Sequence, residues 1–161
     1  MKTANKKDVM NALYEYFNAD ESLCLLVGDM GFAVLDRFFA DFKNRVFNVG
    51  IMEQCMVSMA AGMNLCGMTP VVYSQIPFLT MRAFEQIRYD ICEHNLNVKL
   101  VGIGADNYFN MLGRSHCVDS DDIKIMSIFS NMQILCPSVE TVGNDVKTMM
   151  AYAGPSYIRC I

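Results

Sequence analysis

The sequence has few charged residues and lacks the features that mark several classes of protein. Charged residues make up 19% of the chain, tryptophan is absent, and the formal net charge is −4 with a pI of about 5.1. Proteins that bind nucleic acid carry a basic patch, and no such patch is visible, so we expect no nucleic-acid partner. The sequence also shows no signal peptide and no run of about 18 apolar residues. We therefore expect a cytoplasmic protein without a membrane span.

The cysteines lack the spacing of a metal site or a disulfide framework. Seven are scattered along the chain without a C-x-x-C pair, at positions 24, 55, 66, 92, 117, 136 and 160. An odd, dispersed set in apolar contexts is typical of reduced core thiols in a cytosolic protein. Cys117 lies beside His116, but adjacent side chains rarely face each other, so we do not predict a nucleophile pair.

Apolar residues are plentiful instead. They make up 53% of the 161 residues, and 14 residues are methionine, whose flexible side chain adapts to irregular surfaces. A chain of this length and composition is typical of one compact domain with a sizeable core, so we treat residues 1–161 as a single domain. More apolar surface than one domain can bury also indicates contacts with a partner chain.

Short apolar runs alternate with helical patterns along the chain. A run without polar interruption, such as residues 23–27, is typical of a strand buried on both faces, and strands alternating with helices predict right-handed βαβ units. The sequence therefore predicts an α/β fold, a three-layer sandwich whose mostly parallel sheet of about six strands carries helices on both faces. The predicted strands cover residues 23–27, 46–49, 69–73, 98–102, 132–135 and 156–161; the predicted helices cover 6–18, 34–42, 53–65, 79–92, a segment from 121, and 139–152.

One carboxylate, Glu53, begins the almost wholly apolar helix at 53–65. Burying a lone anion is costly, so Glu53 needs either a partner or a chemical role. A purely structural alternative is that the helix dipole stabilises an acid in the first turn. In an open parallel sheet, ligands bind beyond the carboxyl ends of the strands. Glu53 follows such an end, and so do Asp29, the segment 75–78 and a long loop at 103–120.

Five segments carry a further signal: 48–54 with 60–62, 78–88, 95–102, 113–116 and 154–159. In this order they resemble the pyrimidine-binding domain of the transketolase family, and the resemblance covers nearly all of residues 8–161. The resemblance implies the thiamine diphosphate-binding fold and thiamine diphosphate as cofactor.

The resemblance also implies roles for single residues. A glutamate at the position of Glu53 hydrogen-bonds the pyrimidine ring nitrogen N1′ and activates the cofactor, and His116 matches a histidine that points into the active site. Asp29 matches an acid near the cofactor at the subunit interface, and Phe78 matches an aromatic residue that packs on the pyrimidine. Gln75 falls where the family has a second stacking aromatic. We therefore expect Glu53 and His116 to be catalytic, and Asp29, Glu53, Gln75 and Phe78 to bind the cofactor.

Several of these residues fit ordinary structural roles equally well. Asp29 fits a turn after a strand, and Phe78 fits a core position. Arg114 is suited to holding a phosphate or carboxylate of a substrate, but it also fits a solvated loop. Arg82 and Glu85 fit an ion pair on the surface of their own helix.

Departures from the family pattern change what we expect for the metal site and for the substrate. Gly28-Asp29 begins like the family's diphosphate and magnesium motif, but the paired asparagines that complete the motif are missing. We therefore expect no metal site here, and expect a partner chain, similar to the N-terminal part of transketolase, to hold the diphosphate and Mg²⁺. Two substrate-binding positions of the family fall at Gly104 and Leu112, so we expect a different substrate choice.

These points predict a subunit or fragment of a transketolase-like enzyme, inactive without its partner. It would transfer a two-carbon or acyl unit between carbonyl compounds, act on a small-molecule substrate, and form a homodimer or heterotetramer through the helix at 52–65. A non-catalytic, degenerate module that serves assembly or regulation is the alternative, favoured by Gln75, Gly104 and Leu112. A flavodoxin-like binding domain is a third possibility.

Overall fold

Six parallel strands form one sheet in the computed structural model, which describes residues 2–161. The strand order across the sheet is β2-β1-β3-β4-β6-β5, and each neighbouring pair runs parallel. The predicted α/β sandwich with a parallel sheet is therefore confirmed. The strands are β1 (Leu23–Val27), β2 (Val46–Asn48), β3 (Thr69–Gln75), β4 (Lys99–Ile103), β5 (Gln133–Leu135) and β6 (Ser156–Cys160).

Helices cover both faces of this sheet. As a result, β1, β4 and β6 are buried along their whole length. Alternate residues of β1 point to opposite faces: Leu23, Leu25 and Val27 enter one apolar cluster, and Cys24 and Leu26 enter the other. The helices are α1 (Lys6–Ala19), α2 (Asp36–Asp41), α3 (Glu53–Leu65), α4 (Phe84–Gln86), α5 (Asp121–Met126) and α6 (Val142–Ala151). Helices α1, α2 and α6 supply side chains to the first cluster, and α3 and α5 to the second.

The segment 78–92 differs in kind from the continuous helix that the sequence predicts. Its short α4 is flanked by two π-helical turns, Phe78–Arg82 and Ile87–Cys92. The predicted inward residues Ile87 and Ile91 are buried, whereas Phe84 is only partly buried and packs on Phe129, with ring centroids 5.2 Å apart. π turns are rare and occur often at functional sites, and the first of these turns lies at the carboxyl edge of the sheet.

The cysteine prediction is only partly right. Cys24, Cys92 and Cys160 are buried core thiols, but Cys55, Cys66 and Cys136 are exposed. Burial raises the pKa of the Cys92 and Cys160 thiols to about 12, since the charged thiolate is disfavoured in an apolar interior. None of the helices within residues 2–161 has the length and apolar character needed to span a bilayer.

Candidate functional site

Glu53 is buried at the carboxyl edge of the sheet, with 2% of its surface exposed. The chain leaves β2, turns at Gly50 in the left-handed region (φ +78°), and starts α3 at Glu53. Ser74 Oγ donates a hydrogen bond to Glu53 Oε1 at 3.3 Å, and Arg82 Nη1 donates to Oε2 at 2.8 Å. The carboxylate therefore has two partners within the chain, besides its favourable place at a helix N-terminus.

The pairing of Arg82 with Glu53 corrects a prediction, because the sequence favoured a surface pair between Arg82 and Glu85. The Arg82 side chain is 43% exposed and reaches back over the sheet edge to the buried acid. Its guanidinium carbon lies 4.3 Å from the ring centroid of Phe78. Phe78 and Arg82 are the first and last residues of one π turn, so Arg82 contacts Glu53 on one side and the Phe78 ring on the other.

Phe78 also contacts His116, which arrives from the loop at 103–120. Their ring centroids are 5.1 Å apart and the rings meet edge to face, at 75°. Both side chains are half-buried. Phe78 is therefore not a core residue, which was the alternative to a role in the site. The structure thus brings Glu53, Phe78 and His116, three of the predicted site residues, into one continuous cluster.

Asp29 lies at the same sheet edge, next to this cluster. It directly follows Gly28, where an added Cβ would be 3.2 Å from Ser74 Oγ and 3.8 Å from Glu53 Oε1. Asp29 is exposed and has a left-handed backbone, with φ +52°, which Asp tolerates better than most residues. Asn48 Nδ2 donates to its carboxylate at 3.0 Å, so the ends of β1 and β2 are tied together.

Gln75 is separated from the Glu53 cluster. Because side chains alternate along a strand, Gln75 points to the sheet face opposite to its neighbour Ser74, which contacts Glu53. Its Oε1 is buried and accepts no hydrogen bond from residues 2–161. Buried polar atoms are usually satisfied, so this oxygen marks a place where another donor would be stabilising.

The loop holds the other predicted positions. Arg114 is 85% exposed in its side chain and lies 3.7 Å from the carboxylate of Asp119, as in a solvated loop, and Leu112 is exposed. Gly104 has φ +99°, and a Cβ there would lie 2.6 Å from Phe109 Cδ2. Any residue with a side chain at position 104 would therefore clash with Phe109 unless the start of the loop is rebuilt.

A buried polar network anchors both ends of this loop. Asp122 is fully buried; it accepts from Tyr157 Oη at 2.6 Å and from Arg159 Nε at 2.8 Å. Arg159 also lies 3.7 Å from Asp106 near the start of the loop. Burial, together with the Asp122 charge and hydrogen bond, raises the pKa of Tyr157 well above its ordinary value. The network holds the loop that carries His116 against β6.

Ser74 and the role of Arg82 were not predicted from the sequence. Strand alternation does predict that Ser74 faces the α3 side of the sheet. A helical pattern over 78–92 also puts Phe78 and Arg82 four residues apart on one side. Neither signal indicates that these side chains meet Glu53, which lies 21 residues before Ser74 and 29 before Arg82.

An all-parallel sheet with helices on both faces and a polar cluster at its carboxyl edge defines an α/β protein with a candidate ligand site at that edge. The family model described as "Transketolase, pyrimidine binding domain" matches residues 1–160. The chain belongs to this family.

Its relatives include separately encoded parts of transketolases. A subunit of the apulose-4-phosphate transketolase of Actinobacillus succinogenes is 34% identical over 165 residues, which cover 97% of this chain and 52% of the relative. The putative transketolase C-terminal section of Methanocaldococcus jannaschii is 33% identical over 156 residues, which cover 96% and 49%. The chain thus spans about half the length of these two relatives.

A solved structure supports the same assignment. It is described as "Split gene transketolase, inactive beta4 tetramer", with a TM-score of 0.83 and 31% sequence identity. The match covers 99% of this chain and 52% of that one. The fold and the family of this chain are therefore established together.

Proposed function

We propose that this chain supplies the pyrimidine-binding half of a thiamine diphosphate site in a transketolase-like transferase. The observation that carries the proposal is the buried carboxyl group of Glu53 at the carboxyl edge of the sheet. Arg82 links this group to the Phe78 ring, and Phe78 contacts His116. A buried carboxyl group near a half-buried aromatic ring has the chemistry needed to hold a planar, nitrogen-containing ring. The residues present therefore fit this part of the cofactor.

Each residue has a defined task in this proposal. Glu53 would hydrogen-bond the ring nitrogen, and Phe78 would pack on the ring face. His116 would exchange a proton with a substrate oxygen, because the two imidazole nitrogens can donate and accept. Asp29 would border the site from the neighbouring strand. When bound, thiamine diphosphate supplies a carbon nucleophile that attacks a carbonyl group and accepts the electrons released when a carbon–carbon bond breaks.

The diphosphate and Mg²⁺ are assigned to a partner chain. Residues 2–161 contain no cluster of three His, Cys, Asp or Glu side chains suited to a metal ion. The relatives are described as a transketolase subunit, a C-terminal section and a split-gene transketolase, and these descriptions support a division of the site between two chains. We propose that residues 1–161 form one pyrimidine-binding domain, and that an N-terminal transketolase-like chain completes the site.

Exposed apolar side chains near the site support the proposal that this chain assembles with others. Phe32 is 80% exposed, and Ile51 and Met52 are exposed just before Glu53. Exposed apolar groups of this kind are typical of protein interfaces. We propose a homodimer or heterotetramer that uses α3 and the segment before it, with the reaction being the transfer of a two-carbon or acyl unit between small carbonyl compounds.

Replacing Glu53 by glutamine tests the proposal. In the complex of this chain with its partner, thiamine diphosphate and Mg²⁺, we expect E53Q to lower kcat/KM by at least about 100-fold, as loss of a general acid–base group commonly does. The stability of the chain should change little, because Arg82 is exposed enough to be solvated when its partner is lost. E85Q, on the exposed side of the segment 78–92, is the matched control and should leave turnover unchanged.

Calorimetry of the wild-type complex with thiamine diphosphate and Mg²⁺ gives the second readout. No heat of binding, or full turnover by E53Q, would contradict the proposal. A non-catalytic module for assembly or regulation would then be the better account. The backbone of Gly104 and the position of Gln75, which depart from the family's pattern of substrate and stacking groups, favour that second candidate.

A further inference from the structure

Arg82 occupies both of the contacts that the proposed function reserves for the cofactor ring. Its Nη1 lies 2.8 Å from Glu53 Oε2, and its guanidinium carbon lies 4.3 Å from the centre of the Phe78 ring. A guanidinium is planar and stacks on aromatic faces, so it makes the kind of contact with Phe78 that a flat heterocycle would make.

The hydrogen bonds of Glu53 in the free chain also compete with a bond to the ring. Arg82 Nη1 donates to Oε2, and Ser74 Oγ donates to the other oxygen, Oε1. A ring nitrogen that shares a proton with the carboxyl group must reach one of these two oxygens. Oε2 becomes accessible to the ring once Arg82 has moved away.

Arg82 can leave and Glu53 cannot. The Arg82 side chain is 43% exposed, whereas Glu53 is 2% exposed and fixed at the first residue of α3. Opening the pair therefore needs only a rotation of the long Arg82 side chain into solvent, which hydrates its charge.

We propose that Arg82 is a displaceable counter-ion. In the cofactor-free chain it neutralises Glu53 and covers Phe78, and the pyrimidine ring binds when Arg82 swings out. This proposal rests on the proposed function, since it concerns the same two side chains. Arg82 would then stabilise the free chain and at the same time weaken cofactor binding. The reason is that only those molecules in which Arg82 has left Glu53 can bind the ring.

The test uses R82M, which keeps an unbranched apolar stem but removes the charge. We expect two changes of opposite sign. The free chain should unfold at a lower urea concentration, because a buried anion has lost its partner. The assembled complex should bind thiamine diphosphate about five- to tenfold more tightly by calorimetry in the presence of Mg²⁺. R88M removes an equally charged, exposed side chain from the same segment and should change neither quantity.

A residue with a purely structural role would move stability and affinity in the same direction, so weaker or unchanged binding by R82M overturns the proposal. If R82M does not fold, R82K serves instead: its compact ammonium stacks less well, and we expect a gain of about twofold. A loss of affinity in R82K would again overturn the proposal.

Combining R82M with E53Q tests whether the gain in affinity depends on the ion pair with Glu53. In E53Q the neutral amide has no charge for Arg82 to pair with, so adding R82M should then alter the dissociation constant by less than about twofold. A gain that persists at full size in E53Q would mean that Arg82 acts elsewhere. If the wild-type complex itself binds no thiamine diphosphate, the proposed function fails, which is a separate outcome from a wild-type complex that binds while R82M shows no gain.

Discussion

Gly102, in the middle of β4, shows how closely single residues are packed beneath the candidate site. A Cβ added there would lie 2.7 Å from Tyr157 Cε2 and 2.8 Å from Ile76 Cγ1, distances that require a neighbour to shift. The neighbour Tyr157 holds Asp122 through its hydroxyl group, so the shift would reach the network at the base of the loop.

We predict that G102A destabilises the chain by about 2 kcal/mol, as overpacking of a well-filled core does. Urea unfolding measures the change. The control is G143A in α6, where an added Cβ meets no atom within 4 Å; it should stabilise by about 0.5–1 kcal/mol, because alanine favours helix. Equal effects of the two substitutions would contradict this account.

The sequence predicted the role of some residues near the site but not their contacts. Glu53 stands out because it is a single carboxylate at the start of an apolar helix. This pattern is local, so a short segment of the sequence is enough to reveal it. Its partner Arg82 does not stand out, because the alternative partner Glu85 is only three residues away and Glu53 is 29 residues away. Local charge spacing favours the near pair, and tertiary structure selects the distant one.

At the scale of elements, the loop at 103–120 depends on what lies beneath it. Its last turn leads into α5, whose second residue, Asp122, is buried against Arg159 of β6. The neighbouring residue Asp121 is exposed and pairs with Lys124 at 3.0 Å on the surface. We therefore expect these two adjacent aspartates to contribute very differently to the stability of the chain.

We predict that D122N destabilises the chain by about 3 kcal/mol, because Arg159 would keep a buried charge without its closest counter-ion. D121N should cost less than about 0.5 kcal/mol, as exposed ion pairs do. Urea denaturation of both variants checks the difference. If D122N were as mild as D121N, the buried network would not anchor the loop.

The elements themselves were largely predictable from the sequence. The uninterrupted apolar run at 23–27 predicts a strand buried on both faces, and the sheet contains it as β1. The strand predicted at 98–102 is also present, shifted by one residue, as β4. The π turns on either side of α4 were not predictable, because an apolar pattern with a period of 3.6 does not record one extra residue per turn. The position of Arg82 beside Glu53 depends on the first of these turns, so the site was recognised in outline and not in its contacts.

For the whole molecule, the pH dependence of stability follows from buried titratable groups. Burial raises the pKa of the Cys24 thiol to about 11 and that of Cys92 and Cys160 to about 12. The unfolded chain releases these protons above about pH 9 and the folded chain retains them, so stability falls as the pH rises beyond 9. Burial lowers the pKa of Lys99 to about 8, which works in the opposite direction between about pH 8 and 10.5.

We therefore predict a free energy of unfolding that is nearly flat from pH 8 to 9. It should then fall by roughly 2 kcal/mol between pH 9 and 10, since three thiols outweigh one lysine at about 1.4 kcal/mol per proton and pH unit. Urea titrations at each pH measure the curve. Replacing buried Cys92 by alanine should make the fall shallower by about 1 kcal/mol, and replacing exposed Cys66 should not. An unchanged slope in the Cys92 variant would contradict the assignment.

The strand order has a consequence for how the chain folds as it is synthesised. β6 comes after β5 in the described chain, residues 2–161, yet it lies between β4 and β5 in the sheet. Until residues 156–160 have left the ribosome, β4 has an open edge and β5 has no neighbour in the sheet. Open strand edges are sites of aggregation, and parallel pairings that wait for distant residues form slowly. Translation must therefore reach β6 before this sheet can close, and a pause before that point would leave the edge of β4 exposed to other chains.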